Sequence, residues 1–268
     1  MKPAPFDYMR PASVAEALAA LAGTPGARIL AGGQTLGPML NLRLAQPPLL
    51  VDITRIPELA AVTEDQDSVT IGATVTHAAI EDGRVPDPTG GFLAKVARGI
   101  AYRAVRTRGT IGGSLAHADP SADWLACLTA LRAQVAIAGA GGERRRVPLS
   151  TFVRGAMETE LQPSELVVGI RIPRPPRETR FGYHKICRKT GEFADAIGVV
   201  VWDPPHSCVC VAAGAVLGRP LVMTITDGRP TVETTRSLLQ SAGFAGDAYD
   251  LALNATALKR AYDEAFAQ

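Results

Sequence analysis

The sequence predicts an α+β fold built from two parts of unequal size. Segments with helical periodicity and segments with the alternation of strands follow one another irregularly, which is typical of mixed folds with antiparallel sheets. The proline cluster Pro173-Arg-Pro-Pro-Arg177 can continue neither a helix nor a sheet ladder and marks the best boundary. Hydrophobic residues make up 47% and charged residues 20% of the 268 residues, so both parts can bury a core.

The first lobe, about residues 1–55, is predicted to alternate between helix and strand. Ser13 is a suitable N-cap for a helix through the Ala-Leu pattern at 11–21, and Glu16 completes a capping box. The remaining elements are a short strand at 28–31, a helical turn at 36–44 and a buried strand at 49–53.

The second lobe, about residues 56–174, begins with a different pattern. Apolar residues among Thr, Gly and Asp at 59–75 predict a short antiparallel meander. Helices are predicted at 76–81, 92–100 and 121–133, the last capped by Ser121 or Asp123, with a glycine-rich loop at 109–114. A hairpin pairs 135–137 with 146–148, and a strand covers 166–172.

The last part of the chain predicts an antiparallel sheet with helices on one face. Three strand candidates are expected, namely 181–188, then 196–202 together with 208–216, then 221–226. Two helices, 232–241 and 248–266, close the chain. The sequence therefore predicts one domain at 1–174 and a second at 175–268.

Composition and charge exclude several classes of protein. A net charge of +2 is too small for a nucleic-acid or membrane-surface protein, and the basic run at 144–146 is predicted to be a solvated hairpin turn. The four cysteines form no C-x-x-C pair and fit no iron–sulfur or zinc spacing, while free thiols suit a reducing cytosol. No signal peptide or apolar stretch of about 20 residues is visible. We expect a cytoplasmic protein without a membrane span or a metal site.

The first candidate site is the segment at 28–37, where a strand runs into Gly32-Gly33 and then into polar Gln34 and Thr35. Paired glycines allow successive backbone N–H groups to turn towards an anion, and a following helix N-terminus adds a favourable dipole. No Lys-Ser/Thr follows, so the segment is not a P-loop, and it does not match G-x-G-x-x-G. It predicts a diphosphate cradle, with a tight turn that binds nothing as the alternative.

The second candidate site repeats this pattern at Gly112-Gly113, followed by Ser114. Asp123 lies downstream, where a carboxylate can accept hydrogen bonds from a ribose diol. An alternative set of metal ligands, His117, Asp119 and Asp123, matches no strong metal spacing. Two such segments predict a dinucleotide site, because a dinucleotide needs several anion and ribose contacts.

Three segments carry a resemblance to a known family. AGGQTL at 31–36, TIGGSLAHADPSAD at 110–123 and KICRKTGEFADA at 185–196 resemble the FAD-binding medium subunits of molybdenum hydroxylases, whose members include carbon monoxide dehydrogenase and the xanthine dehydrogenase family. The resemblance covers the whole chain. It implies a two-lobed FAD-binding domain of the vanillyl-alcohol-oxidase (PCMH) type and a smaller C-terminal domain with a three-stranded antiparallel sheet and helices.

The resemblance also implies a set of noncovalent FAD contacts. The first segment would wrap the diphosphate, the second would contact the flavin, diphosphate and ribityl groups, Asp123 would bind a ribose, and Val167 or Val168 would touch the adenine. Lys185 would lie near the flavin, where a cation raises the reduction potential, unless it is a surface salt-bridge lysine. The implied contacts are Arg28, Leu30, Ala31, Gly32, Gly33, Gln34, Thr35, Leu36, Thr110, Ile111, Gly113, Ser114, Ala116, Ala122, Asp123, Val167, Val168 and Lys185.

The implied function is electron transfer inside a larger oxidoreductase. This subunit would take electrons from the [2Fe-2S] clusters of a small partner and pass them to an external acceptor, while a large molybdopterin subunit hydroxylates the substrate, in a dimer of heterotrimers. Gln34-Thr35 and Ser114 depart from residues common in such subunits, which weakens an assignment to carbon monoxide oxidation. The alternatives are a stand-alone FAD oxidoreductase, with Tyr183 or His184 as acid or base, and a non-catalytic assembly protein.

Overall fold

A computed structural model describes residues 1–225 and 231–267 and has the predicted α+β architecture. The first lobe contains β1 (Asp7–Met9), α1 (Val14–Gly23), β2 (Arg28–Leu30), α2 (Leu36–Asn41) and β3 (Leu49–Asp52). Its strands form a parallel sheet in the order β1-β3-β2. Helix α1 packs on this lobe because Val14, Ala17, Leu18 and Leu21 recur at helical spacing and are all buried.

The start of α1 follows the predicted capping chemistry with one difference. The Ser13 hydroxyl accepts a hydrogen bond from the Glu16 N–H at 3.2 Å. The Glu16 carboxylate accepts from the N–H of Ala12 at 2.9 Å rather than from that of Ser13. The first bond satisfies a donor that the helix N-terminus leaves open, and the second holds the residue before the N-cap, so the cap is confirmed in a shifted form.

The second lobe is built on a five-stranded antiparallel sheet in the order β4-β5-β10-β6-β7, which includes the predicted meander and hairpin. Its elements are α3 (Pro57–Ala60), β4 (Val62–Glu64), β5 (Ser68–Gly72), α4 (His77–Glu81), α5 (Phe92–Gly99), α6 (Arg103–Arg106), α7 (Ile111–His117), α8 (Asp123–Ala130), β6 (Gln134–Ala138), β7 (Arg144–Pro148), α9 (Leu149–Phe152), β8 (Val153–Gly155), β9 (Glu158–Thr159) and β10 (Leu166–Pro173).

Three local predictions in this lobe are wrong. The second glycine segment is not a loop, because its paired glycines lie in the first turn of α7. The N-cap of α8 is Ala122, with no side-chain cap, because Asp123 is bonded elsewhere. The basic run at 144–146 lies in β7 rather than in the turn, and Arg145 forms ion pairs with Glu160 and Glu165 at 2.8 Å each.

The C-terminal sheet has four antiparallel strands instead of the three expected. The segments at 196–202 and 208–216, which were grouped as one strand, are separated by a 3₁₀ turn and by Ser207 in the left-handed conformation. The predicted residue Thr226 lies outside the described residues. The elements are β11 (Arg180–Ile186), β12 (Ala196–Asp203), β13 (Cys208–Gly214), β14 (Leu221–Ile225), α10 (Val232–Ser241) and α11 (Ala248–Ala267).

One hydrophobic core continues from the second lobe into the C-terminal sheet. Ile197, Val199 and Ala212 of the sheet belong to the same buried cluster as Trp124 of α8. The other face of the sheet packs on α10 and α11 through a second cluster that includes Val200. The division into domains at about residue 175 stays a prediction, and in this packing the two parts share buried surface. Within the described ranges, no helix has both the length and the apolar content needed to cross a membrane.

Candidate functional site

The first glycine segment lies at the carboxyl edge of the parallel sheet. It follows β2 directly, and the N–H of Ile53, just after β3, donates to the Leu30 carbonyl at 3.0 Å. Ligands of α/β sheets bind outside this edge, where loops leave the strands. The sheet therefore presents the segment at a position suited to binding.

The backbone amides of this segment are open. Within the described part of the chain, the N–H groups of residues 32–36 donate to no protein acceptor. Gly33 has φ +71°, a conformation that an L side chain rarely adopts, and its carbonyl accepts from the N–H of Gly37 at 2.8 Å. Gly32 is buried, but Gln34 and Thr35 are exposed and Gly33 and Leu36 are partly so, and an anion can approach the amides of these four residues from solvent. The residues fit a diphosphate.

The two glycine segments touch each other. A methyl group on Gly32 would overlap the carbonyl of Arg108 and lie 2.8 Å from Cα of Gly109. A methyl group on Gly113 would lie 3.8 Å from Cβ of Ala31. Glycine is required at Gly32 because the backbones cross there without room for a side chain. The predicted site is thus brought together from both segments.

The second segment differs from the first in its amides. The N–H groups of Ile111 and Gly112 donate to the carbonyls of Val75 and Ala73 at 3.0 Å each. The N–H of Gly113 donates to the Thr110 hydroxyl at 3.1 Å. The expectation of two matched amide pockets is therefore corrected to one amide pocket and a helical segment that faces it.

The residues of the second segment that are expected to contact FAD differ in their exposure to solvent. Thr110 and Ile111 are buried, whereas Gly113, Ser114 and Ala116 lie on the more open side of α7. Within the described residues the Ser114 hydroxyl makes no hydrogen bond, so it is available to a ligand. Four other residues are expected to contact FAD. Arg28 is exposed at the start of β2, and Leu30, Leu36 and Ala122 are partly buried.

Val167 and Val168 point into different clusters. Val167 lies in the core shared with the C-terminal sheet, and Val168 lies in the cluster beneath the first lobe. The register of β10 against β6 shifts between Val167 and Gly169, and the Val168 carbonyl accepts from the N–H of Ala73 at 3.1 Å. Of the two valines, Val168 is therefore the one on the side of the first glycine segment.

Asp123 and Lys185 form a buried ion pair. The Lys185 ammonium lies 3.2 Å from the Asp123 carboxylate and 3.3 Å from the Gly99 carbonyl. The side chain of Lys185 is 9% exposed and that of Asp123 is 6% exposed. The hydroxyl of Tyr183 donates to the same carboxylate. Burial raises the pKa of Asp123 against the opposing effect of Lys185, and burial together with Asp123 raises the pKa of Tyr183 well above its usual value.

A buried histidine connects this pair with the glycine crossing. The indole N–H of Trp124 donates to Nδ1 of His77 at 3.0 Å. A methyl group on Gly109 would lie 2.9 Å from the His77 ring. Burial, aided by the Arg106 guanidinium, lowers the pKa of His77 to about 4, so the ring is neutral at pH 7.

Sequence inspection missed His77 and Trp124 as neighbours of the site. Tyr183 was considered only as an acid or base for a stand-alone enzyme, but its hydroxyl is buried and bonded to Asp123. The usable signal was strand alternation, since Phe181, Tyr183 and Lys185 share one face of β11. His184 faces the other way and lies 3.1 Å from Arg260.

Comparison with known proteins places the chain in a family. It matches the family model of the FAD binding domain in molybdopterin dehydrogenase over residues 4–175. It is 42% identical over 203 residues to the carbon monoxide dehydrogenase medium chain of Hydrogenophaga pseudoflava, covering 75% of this chain and 70% of that protein. It is 38% identical over 211 residues to the 6-hydroxypseudooxynicotine dehydrogenase complex subunit alpha of Paenarthrobacter nicotinovorans, covering 78% of this chain and 71% of that protein.

The fold agrees with a solved structure. A chain of the Hydrogenophaga pseudoflava carbon monoxide dehydrogenase, in a form that lacks the Mo-pyranopterin moiety of its molybdenum cofactor, superposes with a TM-score of 0.89. The two chains are 34% identical, and the match covers 100% of this chain and 99% of the other. The predicted fold class and family resemblance are both confirmed. The chain belongs to the family of FAD-binding subunits of molybdopterin dehydrogenases and is an oxidoreductase subunit.

Proposed function

We propose that this chain binds one FAD noncovalently where its glycine segments cross and is the electron-exit subunit of a molybdenum hydroxylase. Electrons would arrive from the [2Fe-2S] clusters of a small subunit and leave to an external acceptor. A large molybdopterin subunit would hydroxylate the substrate. The observation that carries the proposal is the run of open backbone N–H groups at 32–36. FAD, when bound, supplies both one-electron and two-electron redox chemistry.

The first segment would bind the negatively charged diphosphate. Its amides and the Thr35 hydroxyl are donors, and the glycines let the phosphates approach the backbone closely. Arg28, exposed on the strand that leads into the segment, adds positive charge. These donors are fixed by the sheet before a ligand binds, so little ordering entropy is lost on binding.

The second segment would hold the part of the cofactor that faces the first. Ser114 supplies a hydroxyl that has no partner within the described residues, and Ala116 on the same helix is exposed. Thr110 and Ile111 are buried, and the N–H of Ile111 already donates to the Val75 carbonyl, so the expected flavin contact of Ile111 would not use its N–H group. Val168 is the stronger of the two adenine candidates, because it lies beneath the first lobe.

Lys185 would act on the flavin by its charge. Reduced flavin carries negative charge, and a fixed cation nearby stabilises that form and raises the reduction potential. The lysine is held by Asp123 and Gly99 and is only 9% exposed, which opposes the alternative of a solvated surface lysine. In a site of low dielectric constant, such a charge acts more strongly than it would in water.

The named relatives support the proposed partners. One relative is a medium chain and another is a subunit of a dehydrogenase complex, so we propose a small and a large partner subunit, assembled as a dimer of heterotrimers. All four cysteines are free, with Cys127 and Cys210 buried, which suits a reducing compartment. We therefore place the complex in the cytoplasm.

The function is tested by removing the close backbone approach at the crossing. Gly32→Ala would overlap the Arg108 carbonyl and separate the segments, whereas Gly37→Ala has no atom within 4 Å and serves as the matched control. We expect Gly32→Ala to lower FAD affinity at least about tenfold, the cost of losing one or two charge-assisted hydrogen bonds. FAD uptake is followed by the flavin absorbance bands and by fluorescence titration, with circular dichroism as a folding check.

If the wild-type chain took up no FAD, the proposal would be contradicted, and a non-catalytic assembly protein would be favoured. Equal loss of affinity in Gly32→Ala and Gly37→Ala would show that the crossing does not form the site. Molybdenum and iron in the natively purified complex support the partner assignment. Flavin without either metal, together with turnover of a small substrate by the chain alone, favours the stand-alone oxidoreductase.

A further inference from the structure

A turn with two exposed leucines follows helix α2 on the surface of the first lobe. Leu42 and Leu44 are 51% and 71% exposed, although leucine is among the residues most often buried. Pro38 is also exposed and lies four residues before Leu42, so these two side chains share one side of the helix. We call residues 41–46 the leucine turn. Together with Pro38, it presents an apolar surface to solvent.

The backbone of the leucine turn is fixed by hydrogen bonds. Arg43 has φ +58°, a conformation that a non-glycine residue keeps only where its surroundings hold it. The N–H of Leu44 donates to the Met39 carbonyl at 2.8 Å, and the Gln46 side chain donates to the Arg43 carbonyl at 3.2 Å. The Arg43 guanidinium donates to the Lys2 carbonyl at 3.2 Å. A partner would therefore meet a preformed surface and lose little entropy in ordering it.

The charges around the leucine turn are positive. The bond between Arg43 and Lys2 brings residues 1–6 against residues 37–48. These two segments contain Lys2 and Arg43 and no carboxylate, and both cations are exposed. An apolar centre with a charged rim is the usual composition of a protein–protein interface. The positive rim favours a partner with negative charge.

The leucine turn is also close to the proposed FAD site. Helix α2 joins it to the open amides at 32–36 and has six residues, a length of about 9 Å. A partner that exchanges electrons with FAD must dock near the cofactor. A [2Fe-2S] cluster bound by cysteine thiolates carries net negative charge, which complements the positive rim.

We propose that the leucine turn is the surface on which the small [2Fe-2S] subunit docks. This inference rests on the proposed function, which requires such a partner. Leu42 and Leu44 would form the apolar centre of the interface and lose their contact with water. Lys2 and Arg43 would attract the partner and speed its association.

The apolar centre is tested with the full chain loaded with FAD and the [2Fe-2S] subunit separated from the native complex. The double variant Leu42→Ser, Leu44→Ser should raise the Kd measured by biolayer interferometry at least about tenfold, as expected for central interface residues. Leu217→Ser is the matched control, because Leu217 is 79% exposed on the C-terminal part. It should change the Kd less than about twofold. An unchanged Kd in the double variant, or an equal loss in the control, would overturn the proposal.

The charged rim is tested separately by Lys2→Glu. Only the backbone carbonyl of Lys2 holds the leucine turn, so this variant leaves the turn in place. We expect a slower association with the [2Fe-2S] subunit, and the difference should decrease as salt is added. Arg219→Glu reverses an exposed charge on the C-terminal part and should leave the rate unchanged. Equal rates for Lys2→Glu and the wild type would overturn the role of the rim.

The occupant is identified by photo-crosslinking in the native complex. A benzophenone side chain in place of Leu44 should form an adduct with the [2Fe-2S] subunit, detected by mass spectrometry. An adduct with the large subunit or with a second copy of this chain would overturn the proposal. A native complex that holds FAD but no iron overturns the proposed function, and this inference with it. A complex that holds iron but shows no adduct with the [2Fe-2S] subunit overturns this inference alone.

Discussion

At the scale of single residues, the site depends on side chains whose partners are far away in the sequence. Tyr183 is 60 residues from Asp123, and Lys185 is 62 residues from it. Chain-local chemistry was predictable, as with the Ser13 cap, because donor and acceptor lie within one turn. A carboxylate next to a glycine segment gave no sign that its partners come from the C-terminal sheet. The predicted ribose role of Asp123 rested on its position and on the family resemblance.

His77 gives a prediction about pH. Its folded pKa of about 4 lies below the ordinary value of 6.5, so between these values the unfolded state binds more protons than the folded state. Stability from this residue is complete above pH 6.5 and is lost as the pH falls towards 4. The difference amounts to about 3 kcal/mol, from about 1.4 kcal/mol per pKa unit.

Urea unfolding of the wild type and of His77→Gln across pH 4–7 measures this effect. The wild type should lose stability relative to the variant as the pH falls. Other groups with shifted pKa, such as His184 and Asp123, contribute to both proteins and cancel in the comparison. Parallel curves would show that His77 has the same pKa in the folded state as in the unfolded state.

At the scale of elements, helical and extended segments were predictable but their contacts were not. Helix α7 forms although its second and third residues are glycines, which have low helix propensity. Gly112 fits against Ala73, where a methyl group would lie 2.5 Å from Cβ of Ala73, and Thr110 caps the first turn. Tertiary packing therefore overrides the local preference that had indicated a loop.

Helix α11 packs directly on the backbone of the C-terminal sheet, which gives a second prediction. A methyl group on Gly198 of β12 would overlap the Ala257 carbonyl. Gly198→Ala should lower the free energy of unfolding by about 3 kcal/mol, because neither backbone can move aside cheaply. Gly23→Ala, at the end of α1 with no atom within 4 Å, should raise it by about 0.5 kcal/mol.

Denaturant titration followed by circular dichroism checks both glycine variants. Gly23→Ala tests whether an alanine in place of a glycine lowers stability by itself, because Gly23 lies at a helix end and has no strained φ. If Gly198→Ala were as stable as the wild type, α11 would have to stand further from the sheet than it does here.

At the scale of the whole molecule, the family was recognisable from three short motifs, but the way in which the parts join was not. Proline at 173–176 correctly marks the end of β10. It does not separate the cores, because Phe181, Tyr183 and Ile197 lie in the cluster formed by α5 and α8. Hydrophobic contacts between segments so distant in sequence leave no local pattern, so a boundary in the chain gives no information about the packing across it.

A shared core predicts that the chain unfolds in one cooperative transition, although the sequence divides near residue 175. Unfolding either part alone would expose apolar side chains of the other, at about 25 cal/mol for each Å². The chain contains two tryptophans, and each reports on one part. Trp124 is fully buried in the shared core, and Trp202 stacks on Phe266 with ring centroids 3.8 Å apart.

Two single-tryptophan variants test this cooperativity. Trp202→Phe leaves the reporter in the second lobe, and Trp124→Phe leaves the reporter in the C-terminal part. In each variant, fluorescence and far-UV circular dichroism should give the same urea midpoint, since coincident probes indicate a two-state transition. Separate midpoints for fluorescence and circular dichroism within one variant would instead mean that 1–174 and 175–268 unfold independently. The contacts of Asp123 with Tyr183 and Lys185 would then be a docking interface between domains rather than part of one core.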